Sequence, residues 1–273
     1  MITENTENPG EVVAEITNGA QLAWIAQMLN GTVNNARTTR SGEEVDYSKM
    51  TIKLGANIDL GNEQWTSIGT SEKPFSGKLE GNGYTISNLK IVETEGKEGK
   101  AYVGFFGYAK DVAIKNVTFD NVYINIACLD IDHSQGHIGA VAGSLEGTST
   151  IENVTVKGDI NVYATQDANG ASRVAVVAGG NSYGNVTMKN VHVIANEGSY
   201  LIANNNTGAL AGQLQGKSVF ENCSSNIDVT VNKFFAGGII GLAAGDQLFK
   251  NCHTTGNSVF KDTIILWKMM CFQ

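Results

Sequence analysis

Apolar and polar residues alternate over most of the chain, with the two-residue period of a half-buried β-strand. One segment shows this with apolar side chains at Val117, Phe119, Val122, Ile124 and Ile126. Long amphipathic patterns of helical period are rare beyond the first part of the chain. The pattern therefore predicts many short strands, each with one face in a core.

Two short motifs recur along the chain. The first is a run of small and apolar residues at 104–107, 139–143, 175–179, 208–212 and 237–241, closed by Gly107, Gly143, Gly179, Gly212 and Gly241. About ten residues later comes a charged residue, an asparagine and a small apolar residue, with the asparagine at Asn116, Asn153, Asn190, Asn222 and Asn251. The asparagines are 37, 37, 32 and 29 residues apart, so a loop changes length while the strands do not.

This repeat predicts an all-β, right-handed parallel β-helix of about five to seven rungs. Propeller blades are longer and antiparallel, and leucine-rich repeats have a different spacing. The asparagines should occupy a left-handed corner of each rung and bond one another from rung to rung, with 87–89 as a weaker copy. One inward column is predicted to contain Val117, Val154, Val191, Cys223 and Cys252.

The two ends differ from the repeats. Residues 1–75 are predicted to form an N-terminal cap with a helix at about 17–30, a loop and the first strands. Leu22, Ile25 and Leu29 give that helix one apolar face, and Asn18 with Gln21 resembles a capping box. Residues 76–260 form the repeats, and 261–273 form an apolar tail that either caps the last rung or reflects a truncated or altered end.

Composition narrows the function. The chain has 32 Gly, 2 Pro, 17% charged residues and a net charge of −8, so turns are frequent and nucleic-acid binding is disfavoured. Membrane insertion is not expected, because no apolar run approaches about 20 residues. The opening residues are not a signal peptide, so an export signal has been trimmed or never existed.

Cys223 and Cys252 should lie side by side, as a disulfide or as two buried thiols.

The rungs at 208–231 and 237–260 resemble the GLUG motif, with a Gly-rich apolar start, a variable turn, then Asn-Cys and a polar run. Residues 58–60, 65–69 and 75–89, and the opening helix, resemble the segment before such repeats in surface proteins of gut Bacteroidetes. The resemblance extends from Ile16 to Phe260. It implies export and display outside the cell or on its outer surface, in an adhesin-like protein, and it implies no catalytic residue.

The longer loops should project together from one corner of the β-helix and bind a glycan or an extracellular protein ligand. The candidate ligand-binding residues are Asp130, Asp132, His133, His137, Tyr163, Gln166, Asp167, Asn169, Arg173 and Tyr200. Their acids, amides and aromatic rings are the mixture that sugar or cation sites use. The chain is expected to act as a monomer.

A metal site is the alternative role for the first loop. Asp130, Asp132, His133 and His137 place two carboxylates and two imidazoles within eight residues, a set that divalent ions can use. A solvated polar loop explains the same residues. The segment 167–170 suggests Ca²⁺ in the same way, but a turn explains it, and no cofactor is expected.

Enzymatic activity is the other alternative, because many β-helices cleave acidic polysaccharides. A lyase requires carboxylates that hold Ca²⁺ beside a base, and an inverting glycoside hydrolase requires paired acids. The outward positions are mostly Thr, Asn, Ser, Lys and single acids, so no catalytic residue is assigned. The sequence favours a non-catalytic adhesin-like module over a passive structural stalk, and the stalk over an enzyme.

Overall fold

A computed structural model describes residues 2–4, 11–32, 46–93, 102–126, 136–165 and 172–261. These residues form a parallel β-helix, which confirms the predicted fold class. Strands of successive turns pair in register, so each turn lies flat on the one before it. Within the described ranges, no helix has the length and apolar character needed to span a membrane.

Among the described N-terminal residues, Gly19–Leu29 form an α-helix, with Leu22 and Ile25 buried. The side chain of Asn18 accepts a hydrogen bond from the Gln21 backbone at 3.0 Å, while Gln21 accepts one from the Thr17 backbone at 2.7 Å. The cap therefore closes one residue earlier than a standard capping box. It begins a helix that lacks acidic residues in its first turn.

Parallel stacking begins before and continues after this helix. The first strand, Ile2–Glu4, pairs antiparallel with Val12–Ile16, which pairs in parallel with Thr51–Leu54. A 3₁₀ helix, Tyr47–Lys49, precedes the strands Thr51–Leu54, Ile58–Asp59, Lys78–Glu80 and Thr85–Glu93. The ladder thus already runs through the segment that the sequence assigned to the cap.

Five rungs follow, and each starts with a short strand of a five-stranded sheet, here called the narrow sheet. Rung 1 contains the strands Tyr102–Val103, Phe106–Lys110 and Ala113–Ile126, and rung 2 contains His137–Ile138 and Ala142–Ala164. Rung 3 contains Arg173–Ala175, Ala178–Gly180, Gly184–Ala195 and Tyr200–Ala203. Rung 4 contains Asn206–Gly208, Ala211–Gln215, Ser218–Glu221, Ser224–Ser225 and Val229–Val231. Rung 5 contains Ala236–Gly237, Ile240–Ala244, Gln247–Lys250, His253–Thr254 and Ser258–Phe260. All strands after the first of each rung belong to the broad sheet. Beyond Lys261 the predicted tail or cap lies outside the described residues.

The interior is a set of stacked columns of like residues. Val117, Val154 and Val191 are in register and buried. Ser224 pairs with His192 and with His253, so the preceding residues, Cys223 and Cys252, continue the column from Val191. The predicted column is confirmed. Each buried side chain covers the one below, which removes apolar surface from water along the whole axis.

The asparagine ladder is also confirmed. Asn116, Asn153, Asn190, Asn222 and Asn251 all have left-handed backbones, with φ from 51° to 56°. Each amide nitrogen donates to the amide oxygen of the asparagine one rung earlier, at 2.8 to 3.2 Å, and Asn116 donates to Glu80 at 3.0 Å. Asparagine suits this corner because its short amide tolerates the left-handed region that most residues avoid.

The amides of the ladder are half-buried or exposed, because the corner faces solvent. The prediction of a weaker copy at 87–89 is wrong. Asn88 does not lie at this corner. The next residue, Leu89, pairs with Val122, so Asn88 lies beside Asn121. Asn121 donates to Asn88 and Asn88 donates to Asp59, which forms a second ladder. Asn88 has φ 60° and Asn121 has φ 58°, so a similar corner motif occurs at two places in the rung.

The glycine-rich motif forms a bend in which the narrow-sheet strand turns back against the broad sheet. A Cβ on Gly143 would lie 2.6 Å from the Val103 nitrogen and 2.7 Å from the His137 oxygen. Backbone therefore packs directly on backbone at this point, and a side chain cannot be accommodated. The bend sets the distance between the two sheets.

We expect substitutions of Asn153 to distinguish the two roles of the ladder, which are to provide a left-handed backbone and to bond the amides of neighbouring rungs. Asn153→Leu should destabilise the fold by about 1–2 kcal/mol, because a branched residue is strained in the left-handed region. Asn153→Gly keeps that backbone and loses only the exposed amide bonds, so it should cost about 0.5–1 kcal/mol. Urea unfolding at constant m-value measures both, and equal stability of Asn153→Leu and the parent chain would contradict the ladder's role.

We expect Gly143→Ala to destabilise the fold by about 3 kcal/mol or more, because the new methyl group overlaps backbone atoms of two strands. Gly198→Ala is the matched control: its φ is +86°, but nothing lies within 4 Å of the added Cβ. That control should cost about 1 kcal/mol, from backbone strain alone. Thermal unfolding compares the two, and a smaller loss for Gly143→Ala than for the control would contradict the close packing.

Candidate functional site

The variable loops leave the β-helix at one corner, between the end of the broad sheet and the start of the narrow sheet. On one side Ile126, Ala164 and Ala203 are in register, and on the other His137 pairs with Arg173. The loops that connect these positions therefore start and end above one another. We call this place the loop corner. The loop residues Asp130, Asp132, His133, Gln166, Asp167 and Asn169 lie outside the described residues.

A short polar connection joins rungs 3 and 4 at the loop corner. Its residues Asn204, Asn205 and Asn206 are buried. Asn204 donates to the Thr165 carbonyl and accepts from Asn232 at 2.7 Å, so it joins neighbouring rungs. Asn206 donates to Gln213 at 2.9 Å within rung 4. Buried amides need such partners, because water cannot reach them.

His137 and Arg173 are brought together, but inside the protein. His137 is 0% exposed and Arg173 is 8% exposed, and the two are register partners in the narrow sheet. The Arg173 guanidinium donates to the Asn181 carbonyl. Burial lowers the pKa of Arg173, and the negative charge of Glu146 opposes that shift.

A polar cluster surrounds these two residues. His137 Nδ1 lies 3.2 Å from Ser144 Oγ, and Ser144 Oγ donates to Glu146 Oε1 at 2.9 Å. The Glu146 carboxylate also accepts from the backbone nitrogens of Ser182 and Tyr183, both at 2.9 Å. The cluster joins rungs 2 and 3 across the bend.

Two tyrosines cover the cluster on the side of rung 1. The Tyr102 ring meets Tyr108 and His137 edge-on, with centroids 4.8 and 5.2 Å apart. Burial, the larger cause, and the negative charge of Glu146, the smaller one, raise the pKa of Tyr108 to about 12. The same two causes raise the pKa of Tyr102. The phenols therefore stay neutral well beyond physiological pH.

The order of groups in the cluster is not that of a hydrolase triad. In a triad the histidine lies between the serine and the acid, and takes the serine proton. Here Ser144 lies between His137 and Glu146, and it already donates its hydrogen to the carboxylate. Both Ser144 and His137 are fully buried. The cluster ties the rungs together.

A second group of candidates lies on the outer face of the broad sheet, next to the loop corner. Tyr123, Asn161 and Tyr200 form one column over rungs 1 to 3, and Asn125 and Tyr163 form a parallel column two residues further along. We call these five residues the tyrosine face. Tyr163 is a diagonal neighbour of both other tyrosines, at a separation of about 7–8 Å between backbones.

The phenol groups of the tyrosine face are close enough to interact. Partial burial is the largest cause that raises the pKa of Tyr200, and the electrostatic influence of Tyr123 and Tyr163 raises it further. Tyr163 is 36% exposed, so its ring remains available to solvent. The amide oxygen of Asn125 is shielded and lacks a hydrogen-bond partner among the described residues. The face thus combines flat apolar rings with amide groups.

Sequence reasoning identified Tyr163, Tyr200, His137 and Arg173, and the structure separates them into two places. It missed Tyr123, although its outward position between Val122 and Ile124 follows from the alternation. It also missed Ser144 and Glu146, which no linear spacing links to His137. In the described ranges no group of three His, Cys, Asp or Glu residues could hold a metal ion, and His137 is engaged in the cluster.

Comparisons with known proteins identify a sequence family in part of the chain. Residues 134–161, in rung 2 and the loop before it, match the family described as the GLUG motif. A protein of Evansella cellulosilytica provisionally named a Gly-rich membrane protein is 31% identical over 107 residues, which are 39% of this chain and 11% of that protein. Halomucin of Haloquadratum walsbyi is 30% identical over 134 residues, which are 47% of this chain and 1% of that protein.

A solved structure shares the fold. The crystal structure of a protein from Bacteroides ovatus, provisionally named an immunoglobulin A1 protease, aligns with a TM-score of 0.53 and 18% identity, over 96% of this chain and 80% of that one. At this identity the likeness concerns the β-helix and not the activity.

We expect Tyr108, a half-buried tyrosine of the cluster, to make stability depend on pH in the alkaline range. The pKa of Tyr108 is raised from 10.0 to about 12, so the folded state holds its proton more tightly than the unfolded state. Stability should be full below pH 10 and fall as the pH rises towards about 12. Phenolate absorbance during alkaline titration reports the step, and Tyr108→Phe should remove it; an unchanged high-pH titration in that variant would contradict the assignment.

The motif match, the two sequence relatives and the shared fold agree with the resemblance drawn from the rungs: residues 134–161 match the GLUG motif, and the described chain is built as a parallel β-helix.

Proposed function

We propose that this chain is a non-catalytic module of a surface protein, and that it binds glycan through the tyrosine face and the adjoining loop corner. The observation on which this rests is the outward arrangement of Tyr123, Tyr163 and Tyr200 over three successive rungs. Sugar rings present apolar C–H faces that stack on aromatic side chains, while their hydroxyls bond amides.

The geometry supports an extended glycan that runs along the β-helix axis. Neighbouring rungs are about 4.8 Å apart, which is close to the advance of one sugar ring in an extended β-linked chain. Successive rings could therefore meet Tyr123, Tyr163 and Tyr200 in turn, with Asn161 between Tyr123 and Tyr200 and with Asn125 next to Tyr163. The face is pre-formed, since backbone pairing fixes all five positions.

Charge supports a neutral glycan over an acidic one. The chain has a net charge of −8, so a polyanion would be repelled at a distance. Lys90 precedes Tyr123 in the same column and can bond hydroxyls at one end of the face. The proposal includes no metal and no nucleic acid, and the module acts as a monomer.

The comparisons support a surface location. The two relatives are named as a membrane protein and as Halomucin, and the matched family is the GLUG motif. The chain spans about a tenth and about a hundredth of those two proteins, so other segments of a longer protein would supply attachment and any further activity. In such a protein this module would provide binding outside the cell.

We expect Tyr163→Ala and Tyr200→Ala each to weaken glycan binding by about tenfold, because each removes one stacking ring. Tyr183→Ala is the matched control: Tyr183 is 80% exposed and lies outside the face, so its loss should leave binding unchanged. A glycan array followed by calorimetry on the bound glycan measures this. Equal binding by the double variant Tyr163→Ala/Tyr200→Ala would place the ligand elsewhere, and the absence of any bound glycan would favour a passive stalk.

A further inference from the structure

The last two described rungs differ from the others at one core position. The column that contains Val117, Val154 and Val191 in rungs 1 to 3 continues as Cys223 in rung 4 and Cys252 in rung 5. Both cysteines are free thiols, Cys223 is buried, and Cys252 is half-buried. The position that elsewhere needs only a small apolar group thus presents two sulfur atoms side by side.

The two cysteines lie side by side on neighbouring strands. Ser224 pairs with His253, and the His253 nitrogen donates to the Cys223 carbonyl at 3.1 Å. Paired strands place their Cα atoms about 4.8 Å apart, which lies within the range for disulfides. The interaction between the two side chains also raises the pKa of Cys223 and lowers that of Cys252. The backbone spacing therefore permits a bond between them.

The two thiols differ in exposure. Cys223, in rung 4, is fully buried, whereas Cys252 is half-buried, and the rung-5 residues Phe249 and Phe260 are 41% and 43% exposed. The equivalent residues of rung 4, Phe220 and Val231, are 0% exposed. Cys252 is therefore the more accessible thiol of the pair.

We propose that Cys223 and Cys252 are a redox-active thiol pair that closes an intramolecular disulfide by exchange with an external disulfide, and so fastens rung 5 to rung 4. The Cys252 thiolate attacks one sulfur of the external disulfide, forms a mixed disulfide and releases one thiolate. The Cys223 thiol then loses its proton to that thiolate and attacks Cys252 Sγ, which releases the second thiolate. Two protein thiols are oxidised by two electrons, and one external disulfide is reduced to two thiols.

The same geometry explains why a staple is useful at this place. The inward side chains of rung 5 are more exposed than those of rung 4, so less buried apolar surface holds rung 5 in place. A disulfide between rungs 4 and 5 closes a loop of 29 residues and restricts the unfolded chain. The proposal is independent of the glycan-binding function.

The test uses the full chain with Cys128→Ser and Cys271→Ser, because those two cysteines lie outside the described residues. Equilibration with oxidised glutathione should remove the mass of two hydrogens, and peptide mapping should link Cys223 to Cys252 within one chain. Reduction of this product should raise the unfolded population at a fixed urea concentration by at least about tenfold.

Valine variants provide matched controls, since valine already occupies this column in rungs 1 to 3. In Cys223→Val, Cys252 should retain one glutathione as a mixed disulfide; in Cys252→Val, Cys223 should not react while the chain is folded. Neither variant should change stability on reduction. Three results would overturn the proposal: free thiols at both positions after equilibration in a folded chain, a disulfide between two chains, or equal reaction of Cys223 and Cys252 in the two variants.

Discussion

Parallel strands of neighbouring rungs bond each other through their backbones, and this in-register stacking constrains everything else in the molecule. A rung whose strands slipped by two residues would misplace each of its columns, since core, corner and surface positions all repeat with the rung. The asparagine corners reinforce the register, because each amide bonds the amide one rung earlier at 2.8 to 3.2 Å. The ladder faces solvent, so its main contribution is a backbone shape that few other residues adopt.

The glycine-rich bend is the second constraint, and it acts across the rung. Where Gly143 passes Val103 and His137, no side chain fits between the backbones. The same bend brings His137 next to Ser144, although seven residues separate them. A polar cluster results inside the protein, and it is stable because Glu146 accepts from a hydroxyl and two backbone nitrogens.

The two groups beside the loop corner have different physical characters. The polar cluster is closed, because His137 and Ser144 are fully buried and bond within the protein. The tyrosine face is open, and its rings lie on a rigid sheet whose spacing is set by backbone pairing. Rigid aromatic groups at fixed spacing lose little entropy on binding, which suits a surface that recognises a repetitive polymer. The thiol pair at the far end concerns stability and is separate from both.

Much of the fold could be predicted from the sequence, because a solenoid repeats the same local physics in every rung. The alternation of apolar residues, the asparagine spacing and the glycine motif each recur, so strand register, the valine and cysteine column and the loop corner follow from counting. Tyr163 and Tyr200 were identified in the same way, as aromatic residues close to variable loops.

Only the tertiary structure decided what lies across the bend and which way each candidate faces. His137 and Arg173 belong to loops that look exposed in the sequence, yet the bend turns them inward against Ser144, Glu146 and Asn181. Asn88 resembles the first ladder in its neighbours but lies at the second corner, because two extra residues precede it in its rung relative to rung 1. Repetition along the axis can be read from spacing, whereas contacts between sheets depend on the angle of a turn, and no linear pattern records that angle.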